Sequence, residues 1–61
     1  MKCSQLLRLL QRDGWYIVSQ RGSHVKMEHD LKSGKLIVPN HGSKEIGKGL
    51  EKSILKKAKI R

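Results

Sequence analysis

Three histidines, five acids and a single cysteine hold most of this 61-residue chain's capacity for proton transfer, metal ligation or nucleophilic attack. The acids Asp13, Glu28, Asp30, Glu45 and Glu51 are scattered, with no spacing that suits a two-metal phosphodiesterase centre. Cys3, His24, His29 and His41 do not fall into the usual zinc-binding spacings. Gly47 and Gly49 do not form a phosphate-cradling loop after a strand, and there is no nucleophile–base–acid set for acyl transfer. The pattern therefore predicts no metal and no cofactor. What remains is histidine. His24 follows Gly22-Ser23 directly, and glycine lets a polymer backbone come close. An imidazole, with an ordinary pKa of about 6.5, can accept the proton of an RNA 2′-hydroxyl at neutral pH. The freed oxygen would attack the adjacent phosphorus, leaving a cyclic phosphate and a 5′-hydroxyl. Lys26 on the same strand face, or Arg21 one turn away, could offset the charge that builds on the phosphorane. The competing reading of His24 is a surface histidine at a strand edge. His41, after Pro39-Asn40, reads as a second proton donor or a loop hydrogen-bonder. His29 shares a face with Val25 and Met27 and reads as packed, while Cys3 reads as core.

The elements that would hold these residues are legible from periodicity. Cys3, Leu6, Leu7 and Leu10 form one helical stripe, predicting a helix over Ser4–Asp13, with Ser4 as N-cap and Gly14 just beyond its end. Trp15–Gln20 is aromatic and β-branched, His24–His29 alternates, and Lys35–Val38 is a third short run ended by Pro39. The short connections favour an antiparallel meander. A last helix is expected to open at Ser43, with Glu45 in its first turn and Ile46, Leu50 and Ile54 as its buried stripe. Lys44, Lys48, Lys52 and Lys56 recur at the same step on the other side, reading either as a solvated face or as phosphate contacts. Leu55 falls on the lysine side without an evident reason. Gly47 and Gly49 are unfavourable in a helix and predict close packing onto the sheet. The expectation is one α+β domain over residues 1–61, ordered α-β-β-β-α, with two helices on one face of a three-stranded antiparallel sheet.

Composition narrows the partners. Fourteen Lys and Arg against five Asp and Glu give a formal charge of +9, which points to a polyanion. Aromatics make up only 3%, too few for the stacking platforms of single-strand binders. A chain of this length buries a small core, and one cysteine cannot staple it. No apolar run resembles a signal peptide or a membrane span, so a soluble cytoplasmic protein without membrane attachment is expected. Two further function classes fit the charge: a non-catalytic double-stranded-RNA-binding module, and a basic subunit that folds onto an acidic protein.

Taken together, Gly22-Ser23-His24, Val38-Pro39-Asn40-His41-Gly42, Lys44-Glu45-Ile46 with Gly49, and the closing Ile54-Leu55-Lys56-Lys57-Ala58 resemble the HicA toxins of bacterial type II toxin–antitoxin systems. The resemblance runs from the first helix to Ile60. It implies a double-stranded-RNA-binding-like fold, mRNA interferase activity that stops translation, a catalytic histidine at His24, and a HicB antitoxin covering the active site. Basic residues would hold the mRNA substrate, and Gly22, Ser23 and His41 would belong to the supporting motif. The chain departs from the family pattern twice. Lys59 stands where Ala-Gly-Ile is common, which questions the helix C-cap, and Leu50 stands where a Thr is common.

Overall fold

The computed structural model describes residues 1–60. Its order is α1 (Cys3–Arg12), β1 (Trp15–Arg21), β2 (His24–His29), β3 (Leu36–Pro39) and α2 (Lys48–Lys57). The strands form one antiparallel sheet in the order β1-β2-β3. Cys3, Leu6, Leu7 and Leu10 of α1 meet Trp15, Val25, Met27, Leu36 and Val38 of the sheet and Ile54 of α2 in one buried cluster. Both helices therefore cover the same sheet face, as the alternation of β2 and β3 requires. Among the described residues the opposite face has no helix on it.

Both ends of α1 are closed by other parts of the chain. Gln5 Oε1 accepts the Lys2 backbone N–H at 2.8 Å. The carbonyls of Lys44 and Gly42 accept the N–H groups of Cys3 and Ser4, each at 2.9 Å. These helix-start donors have no partner inside the helix, so the strap over residues 42–46 satisfies them. The N-cap is Lys2, two residues before the expected Ser4. At the other end Gly14 has φ +108°, and a Cβ there would lie 2.6 Å from His29 Nε2. Only glycine fits that bend and that close approach.

The second helix differs from expectation. It starts at Lys48 with Gly47 as N-cap, not at Ser43. The backbone of residues 42–46 is committed to α1: Ile46 N–H donates to the Met1 carbonyl, and Glu45 bridges Lys2. Glu45 and Lys44 thus lie outside the helix, and Ile46 is buried as part of the strap. Leu50 is exposed rather than core. Ile46 precedes the helix, so it cannot form a helical stripe with Leu50 and Ile54. The inward stripe is instead Ile54 and Ala58, with Leu55 half-buried against the core, which supplies the reason for Leu55. Gly47 and Gly49 have nothing within 4 Å of an added Cβ, so neither marks close helix–sheet packing.

The doubted C-cap of α2 forms nonetheless. Lys59 adopts φ +58°, its N–H bonding to the Lys56 carbonyl at 3.1 Å and that of Ile60 to the Leu55 carbonyl at 3.0 Å. This is a Schellman motif with lysine in the position that favours glycine. Lys32 joins the same end. Its ammonium donates to Asp13 Oδ2 at 2.6 Å and to the Ala58 carbonyl at 2.9 Å, linking the ends of both helices. No helix is long and apolar enough to cross a membrane among the described residues.

Candidate active site

The site begins with a two-residue hairpin. Arg21 pairs with His24, leaving Gly22-Ser23 as the loop. Gly22 has φ +56° while Ser23 does not enter positive φ, the sign pattern of a type II′ turn with glycine first. The turn is tied to the next motif: the Asn40 N–H donates to the Ser23 carbonyl at 2.6 Å, and His24 pairs with Pro39. The two segments Gly22-Ser23-His24 and Pro39-Asn40-His41, far apart in sequence, are thus neighbours at one end of the sheet.

Register decides which side chains share a face. Across the outward face run the rows Arg21–His24–Pro39 and Ser19–Lys26–Ile37. A bulge between Ile17 and Ser19 makes this possible. Strict alternation from the buried Trp15 would turn Ser19 and Arg21 toward the core. One extra residue, Val18, resets the phase and brings Arg21 beside His24. Ser19, Arg21, His24, Lys26 and Ile37 line an open depression of about 460 Å³. A smaller one of about 200 Å³ adjoins it, walled by His24, Ile37, Pro39 and Leu50.

The histidines separate by their hydrogen bonds. His29 Nδ1 accepts the N–H groups of Leu31 and Lys32, at 2.9 and 3.2 Å, so its proton sits on Nε2 and is donated to the Asp13 carbonyl at 2.7 Å. Its ring meets the Trp15 indole edge-on, with centroids 5.2 Å apart. His29 is therefore a packed structural residue, as its place beside Val25 and Met27 implied. Both nitrogens of the exposed His24 are without a hydrogen-bond partner among the described residues. Arg21 and Lys26 carry no ion pair among those residues either. A free imidazole flanked by two uncommitted cations can exchange a proton with a hydroxyl while the cations hold an adjacent phosphodiester. Among the described residues no three His, Cys, Asp or Glu side chains gather to hold a metal.

A family model described as HicA toxin of bacterial toxin-antitoxin matches residues 3–60. The chain belongs to the HicA toxin family. It is also 43% identical over 56 residues to a protein of Pseudomonas fluorescens (strain Pf0-1) named probable mRNA interferase HicA, covering 92% of this chain and 90% of that one. Within this HicA-family chain the structure brings together Arg21, Gly22, Ser23, His24 and Lys26. His41 lies on the adjoining loop, exposed. Lys48, Lys52 and Lys56 are exposed along α2, and Lys44 lies on the strap before it. None of these four lysines lines either depression beside His24. Sequence reasoning missed Ile37, Pro39 and Leu50 as walls of the site. The alternation of β3 could have placed Ile37 outward, but nothing local signals that Leu50 comes to border His24.

Proposed function

We propose that this chain is a toxin that cleaves mRNA as a metal-independent endoribonuclease and so inhibits translation. The observation that carries this reading is the register that sets His24 between Arg21 and Lys26 on the uncovered sheet face. The relative's name, mRNA interferase, supports it. His24 acts as general base on the ribose 2′-hydroxyl. The 2′-oxygen forms a bond to the adjacent phosphorus, and the bond from phosphorus to the 5′-oxygen breaks. Arg21 and Lys26 meet the negative charge on the phosphorane oxygens. The leaving 5′-oxygen takes up a proton from the imidazolium, so the products are a 2′,3′-cyclic phosphate and a 5′-hydroxyl. Gly22 and Ser23 set the turn that presents His24. Lys44, Lys48, Lys52 and Lys56 hold more distant phosphates, with His41 as a motif residue beside the turn. The open, basic face supports inhibition by an acidic antitoxin of the HicB type that covers it.

The test is a defined RNA incubated with EDTA, wild type beside His24→Ala, with the chemistry of the new ends determined. Cyclic phosphate ends formed by the wild type alone, together with growth arrest that a folded His24→Ala protein no longer causes, are expected. Cleavage by folded His24→Ala would move catalysis elsewhere, and loss of cleavage with EDTA would contradict the metal-free route.

A further inference from the structure

The chemistry above uses the cationic depression and leaves its uncharged neighbour unexplained. That second depression, about 200 Å³, is walled by Ile37, Pro39, Leu50 and His24 and shares His24 and Ile37 with the first. Ile37 and Leu50 are 55% and 47% exposed, so aliphatic surface stands in water at the edge of the site. We propose that this shelf seats the base of the nucleotide whose 2′-hydroxyl is deprotonated, an inference that rests on the catalytic reading of His24.

The order of groups supports the assignment. In a ribonucleotide the base and the 2′-hydroxyl sit on adjacent carbons, C1′ and C2′, and the scissile phosphate follows on O3′. The molecule thus presents an apolar face, a hydroxyl and an anion in sequence. Along the row Pro39–His24–Arg21 the protein presents an aliphatic wall, an imidazole and a cation in the same sequence, with Lys26 beside His24 on the same strand face. A base laid on Ile37, Pro39 and Leu50 covers apolar surface on both partners, and it brings its own ribose to His24. The side chains of Ile37, Pro39 and Leu50 have no donor or acceptor, so they hold the face of a base without reading its edge. The shelf accepts all four bases and contributes to rate more than to sequence choice.

The test uses the full chain and DNA tetranucleotides with one internal ribonucleotide, so that a single bond can be cleaved. That nucleotide carries either its base or an abasic ribose. A matched pair with 2′-deoxyribose at the same place cannot be cleaved and reads binding alone. For wild type, base removal is expected to lower kcat/KM, and to weaken the uncleavable oligomer, by about tenfold, the scale of one base face covered by apolar groups. For the Ile37→Thr, Leu50→Thr double variant the base should matter less than twofold, and removing the next base along should have no such effect in either protein. Wild type indifferent to base removal overturns the shelf without needing any variant to fold. Equal base dependence in wild type and variant overturns it too. So does an affinity loss in the variant that is the same with and without the base, which would assign these walls to something else, such as an apolar side chain of a protein partner. Base-dependent binding without cleavage by wild type would support the shelf while counting against catalysis by His24.

Discussion

His24, Gly14, Asp13 and Lys59 each answer to a different measurement. At His24 the expected outcome is loss of RNA cleavage with the fold kept, because the ring is exposed and nothing in the core leans on it. At Gly14 the reverse holds. A Cβ would combine a positive φ with a 2.6 Å approach to His29, a ring fixed by hydrogen bonds at both nitrogens. Gly14→Ala should cost about 2 kcal/mol or more, lowering Tm by roughly 10 °C in a domain of this size; an unchanged melting curve would refute the packing argument. Lys59 sits at φ +58° in a cap that prefers glycine. Lys59→Gly should stabilise by about 0.5–1 kcal/mol, visible as a raised urea midpoint with unchanged m. Asp13 is held below its ordinary pKa of 3.8, chiefly by the hydrogen bond from the Lys32 ammonium. A carboxyl with a depressed native pKa contributes stability that is full above its unfolded value and is lost as pH falls through the native one. Thermal melts of wild type and Asp13→Asn should therefore differ at pH 6 and converge as pH falls below 3.8 through the depressed native value. The gap should narrow with salt, since the pair is open to solvent.

At the scale of elements, the bulge at Val18 makes the sharpest claim. Val18 is the extra residue, so deleting it leaves every β1–β2 pair in place and Arg21 still outward. The deletion should retain cleavage within several-fold, whereas deletion of an ordinary paired residue would flip Ser19, Gln20 and Arg21 to the other face and abolish it. Measuring cleavage by the deletion variant separates the two. The same element shows what the sequence could and could not disclose. Helix one and the alternation of β2 were legible because each carries its period in its own residues: Leu6, Leu7 and Leu10 in one, Val25 and Met27 in the other. The His24 turn was legible because Gly22-Ser23 is turn chemistry. The phase of Arg21 was not legible: strict alternation from Trp15 would turn it inward, and a bulge leaves no mark in composition. The start of α2 was misjudged for a non-local reason. Ser43 and Glu45 have the chemistry of a helix start, but the N-terminus of α1 takes their backbone as its cap. Leu50 became a wall of the site through that same displacement.

For the molecule as a whole, two sets among the fourteen basic residues bear on RNA. Arg21 and Lys26 stand beside His24, and Lys48, Lys52 and Lys56 run along α2 away from both depressions. If both sets meet phosphates, they should be separable by salt. Replacing the three helix lysines with alanine should reduce the salt slope of single-stranded RNA binding by about 2 while leaving turnover of bound RNA unchanged; an unaltered slope would make the row a solvated face. Position also separates stability from chemistry along β2. His24 stands at one end of the strand and His29 at the other, about 17 Å apart by strand rise. The Lys32 link to Asp13 and Ala58 gathers at the His29 end. For a toxin this means two dials that turn separately. Changes around Lys32 set the dose, the amount of folded protein a cell carries, whereas changes around His24 set the potency of each molecule. A lineage could soften its toxin by either route, and only the first would leave the face around His24 untouched.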